Sequence, residues 1–203
     1  MSISEQDRQR ISSAIRAAEA KTSGEIICVL AQTSSDATAL PVLIAALSAL
    51  ALPWLLVMFT AMTVQRILSL QLIVFLALLL LLCLPRVRVA LMPRNLRRAV
   101  AYRVAMEQFA GRGIARKKDR SGILIFVSLA ERYARIIADD GIAARVPQSD
   151  WQAAVDALVA HMRDGRIADG FITAINLCGN ELATHFPRTE ASRDELPDRI
   201  YLI

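Results

Sequence analysis

Histidine and cysteine are scarce in this chain, and their scarcity excludes several kinds of site. The 203 residues include two histidines and three cysteines. Cys28, Cys83 and Cys178 form no C-x-x-C pair, and His161 and His185 do not have the spacing of paired metal ligands. A zinc site and a disulfide framework are therefore not expected, and the cysteines are predicted to be reduced, structural thiols.

The motifs of the common enzyme classes are also missing. The chain contains no glycine-rich phosphate loop, no G-x-S-x-G elbow and no dinucleotide-binding fingerprint. Aromatic residues make up only 5% of the sequence, and no basic segment is rich in them, so nucleic acid is not expected as a partner despite the formal charge of +5. These absences exclude most common enzyme classes as far as motifs can exclude them; they predict no bound organic cofactor and leave any catalytic residue unknown.

Charge is almost absent from one quarter of the chain. Between Ala37 and Leu84 the only charged residue is Arg66. The apolar segments on its two sides, at about 40–64 and 67–85, each approach the roughly 20 residues that cross a bilayer. Buried core helices are the alternative, but core helices are rarely so long and apolar on every side. We therefore predict a transmembrane helical hairpin over residues 37–88.

The basic residues lie on one side of this predicted hairpin. Gln65 and Arg66 are predicted to form its whole connector, which leaves Arg66 as the only cation on the far side. The cations that precede the first span and follow the second are Arg8, Arg10, Arg16, Lys21, Arg86, Arg88, Arg94, Arg97 and Arg98. The positive-inside rule then predicts a two-pass protein of the inner (cytoplasmic) membrane with both termini in the cytoplasm. The lipid bilayer is the first expected partner.

The segments outside the hairpin alternate between helical and strand patterns. Ser4 and Asp7 resemble a capping box, which predicts a helix from about residue 4 to residue 20. The later elements predicted from periodicity and β-branched runs are strand 25–30, helix 94–109, strands 122–129 and 133–138 joined by a hairpin turn, and helices from residue 150 onward.

The piece before the hairpin is too small to fold alone. Residues 1–36 carry one helix and one strand, which cannot bury enough area for a stable core. We therefore expect these residues to complete one α/β domain with residues 89–187, with strand 25–30 beside strand 122–129. Residues 188–203 are predicted to be a C-terminal tail.

Several short motifs in these segments are typical of one family. They are Asp119-Arg120-Ser121-Gly122 before the strand ILIFVSL, Ala130-Glu131-Arg132-Tyr133, Ile136-Ile137-Ala138-Asp139-Asp140-Gly141-Ile142, and Trp151 at the start of a helix. In this order they resemble the TPM domain family, which is found in thylakoid lumen proteins, photosystem II repair proteins and bacterial membrane proteins. The chain is similar to the subgroup that carries an inserted transmembrane hairpin.

The resemblance implies a fold and, for some members, a chemistry. The fold is a three-layer α/β sandwich in which a small mixed β-sheet is flanked by helices, here interrupted by the hairpin. The chemistry is a weak acid phosphatase activity with a divalent cation in an acidic groove. Asp119, Asp139 and Asp140 are the expected metal ligands, because a β-hairpin brings the start of its first strand and the end of its second to one sheet edge. Carboxylates there suit Ca²⁺ or Mg²⁺.

Two other observations oppose a metal site at this edge. Asp and Gly cluster at strand ends because they form turns. In addition, five cations surround Asp119 in sequence, namely Arg112, Arg116, Lys117, Lys118 and Arg120. Glu131 and Arg132 are expected to be exposed charges at the tip of the hairpin turn, and Trp151 is expected to anchor the core.

Two functions follow from this sequence. The first is a membrane-anchored TPM-like domain that binds a partner, expected to be another membrane protein, during membrane-protein assembly, repair or envelope stress. The second is a weak divalent-metal-dependent acid phosphatase. Whether the chain forms a homo-oligomer is left open by its residues.

Overall fold

A computed structural model describes residues 3–34, 39–60, 62–84, 87, 92–114, 121–189 and 196–203. The elements in chain order are α1 (Glu5–Glu19), β1 (Glu25–Ala31), α2 (Ala39–Phe59), α3 (Val64–Cys83), α4 (Arg94–Gly111), β2 (Gly122–Ser128), β3 (Tyr133–Ala138), α5 (Asp140–Ala143), α6 (Gln152–Arg163), α7 (Ile167–His185) and β4 (Ile200–Leu202). They form two compact units, one of residues 1–34 with 100–203 and one of residues 35–99.

Four strands form the sheet of the first unit, in the order β3-β2-β1-β4. β1 pairs in parallel with β2, with Glu25 opposite Gly122 and Ala31 opposite Ser128. This confirms the predicted pairing of the strands on the two sides of the hairpin. β2 and β3 are antiparallel neighbours, as the predicted hairpin turn requires. A parallel pair needs a long crossover connection, and here that connection contains α2, α3 and α4.

The fourth strand was not predicted from the sequence. Residues 188–203 were expected to be a tail, but Ile200–Leu202 pair in parallel with Cys28–Leu30 of β1. Three residues are too few to give a clear alternation of apolar and polar side chains, which is why the strand escaped detection.

The sheet is covered on both faces, as the predicted sandwich requires. Alternate residues of β2 point to opposite sides: Ile123 and Ile125 join one core cluster, and Leu124 and Phe126 join another. The first cluster includes buried side chains of α1, α6 and α7, and the second includes Ala101, Ala105 and Phe109 of α4. Trp151 is 1% exposed and belongs to the first cluster, so its predicted role as a core anchor is confirmed.

The second unit contains the two apolar helices. α2 and α3 have 21 and 20 residues, and each contains a span long and apolar enough to cross a membrane. The predicted connector was wrong: Gln65 and Arg66 lie in the first turn of α3, and the helices are joined through residues 60–63. Thr63 is the N-cap of α3 and has an extended backbone, so the helix begins at Val64, before Gln65.

Candidate functional site

The predicted metal ligands lie at the sheet edge where β2 begins and β3 ends. The backbone N–H of Asp139 donates to the carbonyl oxygen of Gly122 at 3.0 Å, which places Asp139 beside the first residue of β2. Asp140 follows as the first residue of α5. Asp119 lies outside the described residues, so the structure does not test whether it joins this pair.

Asp139 uses part of its carboxylate to start a helix. Its side chain is the N-cap of α5, and Oδ1 accepts from the backbone N–H of Asp140 at 2.7 Å. The residue is only 5% exposed, and Oδ2 is buried without a hydrogen-bond partner among the described residues. One oxygen therefore stabilises the fold, and the other is the atom that a cation or a donor from elsewhere would reach.

The described residues alone do not build a cation site here. Among them, no group of three His, Cys, Asp or Glu side chains is placed to hold a metal. Asp139 and Asp140 supply at most two carboxylates, and hard cations such as Ca²⁺ take six or more oxygen ligands. The Ca²⁺ or Mg²⁺ site at Asp119, Asp139 and Asp140 therefore stays a prediction.

A second polar cluster lies at the opposite end of β2, and the sequence did not reveal it. Glu131 was expected to be an exposed charge, but it is 5% exposed. Its Oε1 accepts from the hydroxyl of Thr33 at 3.1 Å, and its Oε2 accepts from the backbone N–H of Ser34 at 3.1 Å and from the Ser128 hydroxyl. The Ser34 hydroxyl in turn donates to Ser128 Oγ at 2.8 Å. We call these four residues the Glu131 clamp.

The clamp lies where the chain leaves the sheet for the apolar helices. Thr33 and Ser34 follow β1, and Ser128 ends β2. Arg132, next to Glu131 in the turn, has a φ of 52°, a left-handed conformation that non-glycine residues rarely adopt. The Glu131 carboxylate compensates its burial with three donors and thereby ties the end of β1 to the turn between β2 and β3.

A third buried carboxylate joins α1, β1 and the C-terminal segment. Glu19 is 5% exposed, and its Oε1 accepts from the backbone N–H of Ile26 at 2.7 Å. The pKa of Glu19 is raised from 4.5 to about 8, mainly by burial; the hydrogen bond from Ile26 lowers it, and a hydrogen bond with Asp198 and the charges of Asp198 and Glu25 also raise it. Glu19 is therefore mainly protonated at neutral pH, which lets its carboxyl donate to Asp198.

The cysteines in the sheet unit have no reactive character. Cys28 and Cys178 are both fully buried in the first core cluster. Burial raises the pKa of the Cys178 thiol to about 12 and that of the Cys28 thiol well above its usual value. Such thiols are inert because the nucleophilic form is the thiolate. The prediction of free thiols is confirmed for these two, and the side chain of Cys83 lies outside the description.

The fold defines the class of protein: an α/β sandwich whose parallel crossover contains two long apolar helices. Residues 85–181 match the family model described as the TPM domain. These residues are therefore similar to the TPM domain family, which confirms the resemblance seen in their motifs. α1 and β1 lie outside the matched residues but complete the same compact unit.

A solved structure shares the fold. The NMR structure of the BA42 protein from the psychrophilic bacterium Bizionia argentinensis superposes with a TM-score of 0.64 at 21% sequence identity, over 100% of this chain and 97% of that chain. At this identity the likeness concerns the fold alone. No curated protein matches the sequence.

Proposed function

We propose that this chain is a membrane-anchored TPM-domain protein that binds another membrane protein during assembly, repair or envelope stress. The observation that carries the proposal is the exposure of the two apolar helices. The apolar segments Val42–Phe59 and Val64–Leu82 are only 11% and 6% buried. A soluble core helix would be mostly buried, so these surfaces favour contact with lipid or with other spans.

The proposed location is the inner membrane, with both termini in the cytoplasm. The arginines before and after the hairpin support this orientation through the positive-inside rule. Alkaline phosphatase fused after residue 203 should be inactive, and the same enzyme inserted in the connector at residues 60–63 should be active. An active fusion after residue 203 would show that the C-terminus lies on the opposite side of the membrane and would contradict the proposed orientation.

Binding is favoured over catalysis by the use made of the buried carboxylates. The Glu131 clamp and Glu19 hold segments of the fold together, and Asp139 caps a helix. A catalytic carboxylate must instead reach a substrate in an open cleft. The described residues thus commit their buried acids mainly to structure.

The test of the proposed function is purification of the full tagged chain from membranes in mild detergent, followed by quantitative mass spectrometry. We expect one membrane protein to co-purify in a fixed ratio and, when it carries the tag itself, to recover this chain. An unrelated tagged two-span protein at the same abundance is the control. If the chain purifies alone in both directions, the proposal is wrong.

A weak acid phosphatase is the second candidate, and Asp139 is the observation that favours it. Its buried Oδ2 lies at the edge where the family resemblance implies a cation. Hydrolysis of p-nitrophenyl phosphate by the full chain, with Ca²⁺ or Mg²⁺ at acidic and neutral pH, should then be lost in Asp139→Asn and kept in Asp156→Asn. Asp156 is the matched control because it is an exposed helical residue. Equal rates in both variants would remove this candidate.

A further inference from the structure

A groove runs between the exposed side of α1 and the edge strand β4. Its volume is about 840 Å³, and α1 residues line one wall while the segment Arg199–Leu202 lines the other. Both walls belong to the same compact unit. The groove is separate from the Asp139 edge and from the Glu131 clamp.

The β4 wall offers unused backbone groups. The N–H of Ile203 donates to Leu30 at 3.1 Å, and the carbonyl of Ile203 accepts from Gln32 at 2.8 Å, so residue 203 faces β1. In a parallel ladder, alternate residues face opposite neighbours, so the N–H and C=O of Leu202 point away from β1. In the described parts of the chain no strand pairs with that side of β4. Such an edge is a template for an added strand.

The charges along the groove favour a ligand of negative charge. Arg8, Arg16 and Arg199 line it, against a single acid, Glu5. Arg8 pairs with Glu5 at 3.3 Å, and both side chains are exposed. Arg16 is also exposed, but its partner at 3.1 Å, Asp198, is only 22% exposed. An exposed pair contributes at most about 1 kcal/mol, so an incoming carboxylate can replace Glu5 beside Arg8 at little cost.

We propose that this groove, the β4-edge groove, binds an extended acidic segment of a partner protein, which adds as a strand beside β4. The proposal rests on the proposed function, since it names the surface that such a partner would use. Backbone pairing with Leu202 supplies affinity, and the three arginines select acidic side chains on alternate residues. A membrane surface would be attracted by the arginines but would make no use of the strand edge.

Fluorescence anisotropy on the full chain in detergent tests the charge selection. The probe is a labelled eight-residue peptide that alternates Glu and Val, and the control peptide alternates Lys and Val. We expect at least tenfold tighter binding of the acidic peptide, and at least a tenfold loss in Arg8→Gln/Arg199→Gln. The matched control is Arg163→Gln, which removes an arginine outside the groove. No binding of the acidic peptide, or equal binding of both peptides, would overturn the proposal.

A second pair of variants tests the strand addition. Leu202→Pro removes the outward N–H without touching the bonds of Ile203 to β1, and Leu202→Ala keeps that N–H. We expect binding to be lost in the first variant and kept in the second. If Leu202→Pro unfolds, two N-methylated peptides replace it, one methylated at the odd-numbered amides and the other at the even-numbered amides. Only one of these two peptides should lose binding. Binding that is kept by Leu202→Pro, or by both N-methylated peptides, would overturn the proposal.

Two further measurements separate the possible failures. Binding of the full chain to phosphatidylglycerol vesicles through the same arginines, with no peptide binding, would assign the groove to lipid and overturn the proposal. In the purification experiment, a partner that still co-purifies with Leu202→Pro contradicts binding at the β4-edge groove but leaves the proposed function intact. No partner with the unaltered chain contradicts the proposed function itself.

Discussion

The sheet unit and the hairpin unit contain equally apolar segments but bury them differently. All seven residues of β1 are buried by other parts of the chain, whereas only 11% of the window Val42–Phe59 is buried. Side chains of the sheet unit therefore depend on particular neighbours, such as the donors around Glu131. Those of the hairpin require only an apolar surrounding, which lipid would supply at the proposed location in a membrane. Equivalent substitutions should affect the two units very differently.

The largest contrast is expected for a truncated apolar side chain. Ile125 is 0% exposed in β2, and Leu72 is 59% exposed in α3. Ile125→Ala should lower the stability of the sheet unit by about 2 to 5 kcal/mol, because it leaves a cavity, and Leu72→Ala should leave it unchanged.

Thermal unfolding in detergent, followed by the fluorescence of Trp151, measures this contrast. A Trp54→Phe background removes the other tryptophan, which lies in α2 and is 77% exposed. Equal shifts in melting temperature for Ile125→Ala and Leu72→Ala would contradict the difference between the two units.

A contrast of a few kcal/mol is expected from the pH dependence of Glu19. Its folded pKa of about 8 lies above the ordinary value of 4.5, so the folded state holds the proton more tightly than the unfolded state. The stability that this proton contributes is fully present below about pH 4.5 and is lost as the pH rises toward 8 and beyond.

Glu19→Gln removes this proton and keeps an acceptor for Ile26 and a donor for Asp198. Its stability should exceed that of the unaltered chain increasingly between pH 5 and pH 9, as followed by Trp151 fluorescence in urea. Glu107→Gln is the control, since that side chain is 65% exposed. Parallel pH curves for Glu19→Gln and the unaltered chain would show that Glu19 keeps an ordinary pKa.

A smaller loss, of about 2 kcal/mol, is expected on removing the centre of the Glu131 clamp. Glu131→Ala leaves the Ser34 N–H and the hydroxyls of Thr33 and Ser128 without their acceptor in a buried place. Glu107→Ala should change the stability by less than about 0.5 kcal/mol. Hydrogen exchange at Ser34 should rise in the first variant only, and unchanged protection there would contradict the clamp.

The smallest effect, about 1 kcal/mol, is expected where two helices of the sheet unit meet. A Cβ added at Gly179 of α7 would lie 2.7 Å from the Cβ of Ala18, whereas one added at Gly111 of α4 would meet nothing within 4 Å. Gly179→Ala should therefore destabilise the unit despite its better helix propensity, and Gly111→Ala should not. Equal melting temperatures for Gly179→Ala and Gly111→Ala would show that α1 and α7 move apart enough to accommodate the added methyl group.

The sequence predicted elements that carry a strong local pattern. The run Ile123–Val127 predicted β2, and the long segment whose only charge is Arg66 predicted α2 and α3. The pairing of β1 with β2 followed from a physical need, since residues 1–36 cannot fold alone, and it is observed. Local pattern and the need for burial thus sufficed for most of the fold.

Features that depend on distant partners were missed. Glu131 has the sequence context of a turn charge, and only its contact with Ser34, 97 positions away, shows that it is buried. Glu19 ends α1, and only its contacts with Ile26 and Asp198 show that it is buried. β4 becomes a strand only beside β1. Such roles are set by tertiary contact, which periodicity does not encode.

Alkaline carbonate extraction of membranes, compared for the full chain and for a variant whose residues 39–84 are replaced by a Gly/Ser linker, tests the central claim most directly. The full chain should stay in the membrane pellet. The linker variant should be soluble and unfold cooperatively, because loop-closure entropy grows slowly with length and the sheet unit is built from both flanks. A full chain that carbonate extracts, or a linker variant that aggregates, would contradict the account of a sheet unit anchored by an inserted hairpin.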